Sequence, residues 1–142
     1  MGLEYLDDGG AVVALTFGEV DARADRMAAE LAARGLRRGD RLCVHLPNGA
    51  PFLDIFLACV RLGAVLVPIN TLYRERELRH IISDAEPVAT VVMPNAGATY
   101  PAGATLWGLG ELSAGAASRP ASRSDVSLRR VCVRFVRKGQ WR

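Results

Sequence analysis

Between Ala11 and Met93 the chain alternates short, mostly apolar runs with longer stretches of helical spacing. The runs are 11–15 (AVVAL), 41–46 (RLCVHL), 65–69 (VLVPI) and 88–93 (VATVVM). Apolar segments this short, rich in Val and bounded by Gly, Pro or Asn, predict strands of the kind a parallel sheet buries on both faces. In the first spacer Val20, Ala24, Met27, Ala28 and Leu31 recur three and four apart, which is one face of a helix. Thr16-Phe17-Gly18-Glu19 ahead of it matches a capping box, in which the Thr hydroxyl accepts from a free N–H and the Glu reaches back. Gly35 supplies a left-handed stop. Glu19/Arg23 and Glu30/Arg34 stand four apart, a spacing worth about 0.2–0.5 kcal/mol per pair on a helix surface.

A second helix is expected over 52–62, with Pro51 in its first turn and Gly63 after its end. It is apolar on nearly every side and must be covered by other protein. A third, 74–84, turns Leu78, Ile81 and Ile82 inward beneath a charged outer face. Strand and helix alternating in this way predict an α/β fold, a partial parallel sheet with flanking helices and right-handed crossovers. After Met93 the pattern fades. Residues 1–95 therefore form the α/β part, 96–118 a Gly/Ala-rich loop region with one apolar stretch (104–112), and 119–142 an irregular basic tail.

At 142 residues the chain is one domain or part of one, and half of it is hydrophobic, which excludes an intrinsically disordered chain. The net charge of +3 hides a split: residues 1–118 carry ten Arg against fourteen Asp and Glu, residues 119–142 eight Lys and Arg against one Asp. The basic balance belongs to the tail and says nothing about the body binding nucleic acid. Cys43, Cys59 and Cys132 are scattered and odd in number, which argues against a disulfide framework or a zinc site. The acidic start MGLEYLDDGG is no secretory signal, and Leu6 stands where a myristoylation signal needs Ser or Thr. Asp54, Arg61, Gly63 and Pro68 interrupt the most apolar window, so no membrane span is expected and the chain reads as cytoplasmic.

Candidate chemistry is sparse. No GxxxxGK[ST] loop occurs. Gly108-Leu109-Gly110 opens like a dinucleotide fingerprint, but Ser113 replaces the third Gly, and a loop is expected there. His45 and His80 lack a Cys or Ser arranged for a triad, and Cys43 and Cys59 read as small buried hydrophobes. Glu75 and Glu77 with Arg74, Arg76 and Arg79 read as a solvated helix face. Asn48, Asn70, Thr71 and Asn95 stand at the carboxyl ends of expected strands, where such sheets bind ligands, although these residue types also serve as caps and turns. In the tail Arg129, Arg130, Arg134, Arg137, Lys138 and Arg142 interleave with Phe135 and Trp141, either a nucleic-acid contact or a plain extension. No residue earns a catalytic, cofactor-binding or metal-ligating role.

The motifs as a set resemble the opening of adenylate-forming (AMP-dependent) acyl-CoA synthetases. They are Leu15-Thr16-Phe17-Gly18-Glu19-Val20, Ala28-Ala29-Glu30-Leu31, Gly35 to Arg41, Pro47-Asn48, Ala58 to Val65 and Val67-Pro68-Ile69-Asn70. Residues 71–87 continue the likeness in register, with features of the malonyl-CoA and medium- or long-chain acyl-CoA branches. The resemblance implies part of the large N-terminal domain, built of stacked α/β subdomains. It also implies, for a complete enzyme using ATP, Mg and CoA, conversion of a carboxylic acid to an acyl-adenylate and then to a thioester. The family's Ser/Thr/Gly-rich phosphate loop ending in Pro-Lys-Gly does not occur in these 142 residues. Neither do its Thr-Gly-Asp element, its hinge or its C-terminal domain. The expectation is an N-terminal fragment that binds no cofactor and is inactive alone, with uncovered sheet edges and poor solubility. Its partner would be the remainder of a ligase or a complementing chain, with neither membrane nor nucleic acid involved. The tail reads as a frameshifted terminus, a truncation or a real extension. The competing expectation is a small α/β interaction module that uses the basic tail on nucleic acid.

Overall fold

The computed structural model describes residues 2–7, 9–94 and 99–121. A hairpin of β1 (Gly2–Leu6) and β2 (Val12–Thr16) leads into α1 (Phe17–Ala33). There follow β3 (Arg41–His45), α2 (Ala50–Leu62), β4 (Val65–Pro68), α3 (Glu75–Ala85), β5 (Ala89–Val92), β6 (Leu106–Gly108) and α4 (Leu109–Ala117). The last four strands form one parallel sheet in the order β4-β3-β5-β6.

Alternation along the strands sorts the core onto two faces. Leu42, Val44 and Leu46 join Leu66, Val91, Trp107 and residues of α1, α2 and α4 on one side. Cys43, Val67 and Ile69 pack against Leu78, Ile81 and Ile82 of α3 on the other. Helix boundaries follow local chemistry. At Thr16 the capping box closes: Oγ1 accepts from the Glu19 N–H at 3.2 Å, and the Glu19 carboxylate accepts from the Thr16 N–H at 2.7 Å. The Thr16 N–H, together with the Thr16 hydroxyl donating to the same carboxylate at 2.8 Å, holds the Glu19 carboxyl below its ordinary range. Gly63, at φ +68°, ends α2 in the left-handed conformation. Within α2, Ile55, Ala58 and Cys59 are buried, while Phe52, Phe56 and Leu62 lie partly buried against the same core.

Several expectations are corrected. The run 11–15 does not enter the parallel sheet. Its strand pairs antiparallel with β1, an element the sequence pattern does not reveal. The Asp7 side chain accepts from the N–H groups of Gly9 (2.9 Å) and Ala11 (2.8 Å), and Gly10 sits at φ +78°, so a local turn supplies the partner strand. Only alternate positions of β2 are partly buried, as one-faced antiparallel pairing requires. Residues 106–117, inside the expected loop region 96–118, form β6 and α4 instead. Trp107, Leu112 and Ala116 are buried there, on an apolar face that intervening Gly and Ala disguise.

The ion pairs also differ. Glu30 and Arg34 do pair, Nε to Oε1 at 2.8 Å, but Glu19 caps its helix and Arg23 turns to Asp54 of α2 at 2.6 Å. Arg61 of α2 reaches back to Asp21 and Asp25 of α1. Arg119, the first residue of the basic segment, donates from Nε to Glu30 Oε2 at 3.1 Å and so ties the end of α4 to α1. The Arg34 hydrogen bond, with a second from Arg119, holds the buried Glu30 carboxyl below its ordinary value. Gly115 of α4 lies directly over that carboxylate, where a Cβ would overlap it. Gly115→Ala should therefore destabilise the fold by about 1–3 kcal/mol. A denaturant midpoint equal to the wild-type one would refute this close approach.

Candidate functional site at the carboxyl end of the sheet

From β3 the chain crosses through α2 to β4 on one side, whereas from β5 it proceeds to β6 on the other. Connections thus diverge between β3 and β5, and in open parallel sheets the crevice beyond the strand ends at such a point is where ligands bind. A cavity of about 210 Å³ occupies it. Leu46, Pro47, Asn48 and Gly49 line it after β3, Met93 after β5 and Leu109 at the start of α4, and Tyr5 to Asp7 of the hairpin segment close it. A larger cavity, about 360 Å³, lies between α3 and residues 101–105, near the amino end of β5 and remote from this crevice.

Of the described polar residues expected at strand ends, Asn48 alone lines the switch-point cavity. Asn70 spends its side chain on a turn, Oδ1 accepting from the Leu72 N–H at 2.9 Å. Thr71 is exposed, its carbonyl accepting from Arg74 at 3.2 Å. Asn95 lies outside the described residues, as do Cys132 and the tail residues Arg129 to Arg142. Gly108-Leu109-Gly110 is not a loop: Gly108 ends β6 and caps α4.

His45 closes β3 on the α3 side, only 5% exposed. Its Nδ1 lies 2.8 Å from the Tyr100 hydroxyl, with the two rings edge to face at 5.9 Å. Nε2 makes no hydrogen bond of ordinary geometry. Burial pushes the imidazole pKa down and the Arg74 charge adds to this, while the nearby backbone of Asn70 and Thr71 partly offsets both. The Tyr100 contact joins residues 55 apart, which no local sequence signal announces. His80 is exposed on α3. Burial raises the thiols of Cys43 and Cys59 to about 12, so both stay protonated and inert. Glu75 pairs with Arg79, and Glu77 accepts from the Arg74 N–H, as a solvated, self-capped helix face would.

The cavity can bind but is poorly equipped to react. Among the described residues neither Lys nor Arg lines it, and the one carboxylate there, Asp7, would repel phosphate. The residues present do not fit a nucleotide triphosphate with its magnesium. Among the described residues no three His, Cys, Asp or Glu side chains gather as metal ligands, and no helix is long and apolar enough to cross a membrane.

A family model described as AMP-binding enzyme matches residues 4–134. The chain belongs to that family. The match runs past the composition change at Arg119. The long-chain-fatty-acid–CoA ligase FadD13 of Mycobacterium tuberculosis is 40% identical over 73 residues, covering 51% of this chain and 14% of that protein. A fatty acyl CoA synthetase structure from M. tuberculosis superposes with a TM-score of 0.76 at 29% identity, over 89% of this chain and 27% of that one. Apo MatB from Rhodopseudomonas palustris gives 0.67 at 32% identity, over 82% and 25%. The curated relatives are acyl-CoA ligases and synthetases, and the chain spans about 14–15% of their length. The parallel sheet with its flanking helices therefore has the fold of part of the N-terminal domain of these structures.

Two outcomes test the site's electrostatics. The His45 imidazole has a folded pKa below its unfolded value of about 6.5. Above that pH both states are neutral, and below it the unfolded chain takes the proton first, so stability should fall as the pH drops through about 6.5. His45→Gln should flatten this loss in denaturation curves between pH 7 and 5, and an unchanged slope would contradict the assignment. A thiol reagent should label Cys43 and Cys59 only after denaturant is added; prompt labelling of either in the native protein would contradict their burial.

Proposed function

We propose that this chain is the N-terminal part of an AMP-forming acyl-CoA ligase, and that it contributes scaffold and one wall of a binding crevice, not the reacting groups. The complete enzyme would join a carboxylate oxygen to the α-phosphorus of ATP with loss of pyrophosphate, then transfer the acyl carbon to the thiol of CoA with loss of AMP. The single observation that carries this reading is the combined match to acyl-CoA ligases in sequence and fold over the same elements. Adenylation needs positive charge and backbone donors aimed at the phosphate where charge develops. Among the described residues the lining of the switch-point cavity offers no such cation. The chain alone is therefore inactive, and its functional partner is the remaining ligase sequence, in the same polypeptide or a separate one.

The tail supports a shifted reading frame. Read one nucleotide ahead, the codons for Val133 to Lys138 can spell Ser-Gly-Ser-Ser-Gly, and the single Trp141 codon followed by Arg142 dictates a Gly in that frame. The result shares the glycine positions of the family's phosphate loop, but its Pro-Lys is replaced: the shifted codons allow only Val, Ala, Asp or Gly for the Pro and Ser or Asn for the Lys.

Purified chain mixed with ATP and a fatty or malonic acid should release no pyrophosphate, and a burst of it would overturn the claim of inactivity. The nucleotide sequence across codons 119–142 should contain the loop in the shifted frame. A frame with no such loop would remove the shift and leave a separate complementing chain as the source of the phosphate site.

A further inference from the structure

β5 and β6 are parallel, so residues 93–105 must bring the chain back from the carboxyl end of the sheet to its amino end. Residues 99–105 of this return contain neither helix nor strand. They lie as a strap over the face that α3 covers, with Tyr100 and Ala104 packed against the cluster of Cys43, Leu78 and Ile82. At one end Thr105 O accepts from the Thr90 N–H at 2.8 Å, while the Ala104 N–H bonds within the strap, to Pro101 O at 3.1 Å. At the other end a side chain ties it: the Tyr100 hydroxyl on His45 Nδ1 at 2.8 Å. His45 itself cannot move aside, because β3 is paired on both edges.

We propose that His45 and Tyr100 form a proton-sensitive latch, closed while the imidazole is neutral and opened when it takes a proton, which frees residues 99–105 from the sheet. A neutral ring can accept the Tyr100 O–H at Nδ1, but an imidazolium donates from both nitrogens and that bond is lost. A buried cation also needs an opposite charge beside it. β4 and β5 (VLVP, ATVV) contain no ionisable side chain, and Tyr100 is the strap's one titratable group. On β3, Cys43 stays a thiol and Arg41 bonds the Ala85 carbonyl. From the α3 side the charge that acts on His45 is Arg74, of the same sign. Tyr73 packs there as a phenol, Glu77 accepts from the Arg74 N–H, and Glu75 pairs with Arg79. Arg76, His80 and Asp84 are exposed. Among the described residues no carboxylate therefore answers the new charge. Water must do so, and the strap is the most weakly tied cover above the ring.

Because the closed form resists the proton, opening should become easier as the pH falls through about 6.5, the value of a solvated imidazole. Hydrogen exchange on the 142-residue chain, corrected for the intrinsic rate at each pH, reads this at the Ala104 amide and at the Thr90 amide that bonds Thr105. Both should exchange through an opening insensitive to denaturant and lose about tenfold in protection between pH 7 and 5. In His45→Gln that loss should vanish. Tyr100→Phe keeps the ring packing and the imidazole but removes the hydroxyl, so it should lower protection several-fold at pH 7, and it decides the matter should H45Q fail to fold. Protection constant with pH would overturn the proposal, as would a loss retained in H45Q or wild-type protection in Y100F. So would reporter amides that share the denaturant dependence of the β3 amides, since the proton would then unfold the chain as a whole.

Discussion

The burial of β3 on both faces is the constraint from which the rest of the molecule follows. Leu42, Cys43, Val44, His45 and Leu46 are all buried, and β3 has a parallel neighbour on each side. Parallel neighbours cannot be reached by a tight turn, so each needs a crossover, and the crossovers are the helices that cover the two faces. α2 returns the chain to β4 over the face lined by Leu42 and Val44, and α3 carries it to β5 over the face lined by Cys43. This topology forces the divergence between β3 and β5 and leaves a crevice at its carboxyl end. Two titratable groups in β3 are buried with it: Cys43 remains a thiol and His45 a neutral imidazole.

Charge locks the helical layer on one face of the sheet. Asp25, Glu30 and Asp54 are buried, and each meets an arginine: Arg61, the pair Arg34 and Arg119, and Arg23. A buried carboxylate without such a partner would be strongly destabilising, so these pairs admit few alternative placements of α1 against α2 and α4. Gly115 permits α4 to approach Glu30, and the Arg34 guanidinium sits 5.8 Å over the Trp107 ring, holding β6 and α4 to the same cluster.

What was legible in the chain was what short-range chemistry decides. The capping box at Thr16, the stop at Gly63 and the Val-rich runs in β3 to β5 each act within a few residues, and each element forms where it is expected. Choices between distant partners were not legible. Arg23 has Glu19 one helical turn away and Asp54 across the core; the cap claims Glu19 and burial favours Asp54. The strand at 12–16 pairs with β1 because a short turn costs less chain entropy than joining the parallel sheet. Small residues hid α4, whose contacts come from Leu112 and Ala116 between glycines and alanines. At the candidate site Asn48 was visible as a strand-end residue, but the hairpin wall from Tyr5 to Asp7 and the His45–Tyr100 contact depend on tertiary packing.

The same separation bears on function. Family membership is carried by elements that position a crevice, while the described residues of the crevice supply a carboxylate, an amide and apolar walls. Activating a carboxylate with ATP brings together two anions that repel each other, and only fixed positive charge or aligned backbone donors offset that repulsion. Arg23, Arg34, Arg61 and Arg119 are not available for this, because they are committed to buried carboxylates within the helical layer. Redirecting one of them to a phosphate would leave Asp25, Glu30 or Asp54 buried and unpaired. These four arginines therefore fix the helical layer and leave any phosphate-binding charge to other residues.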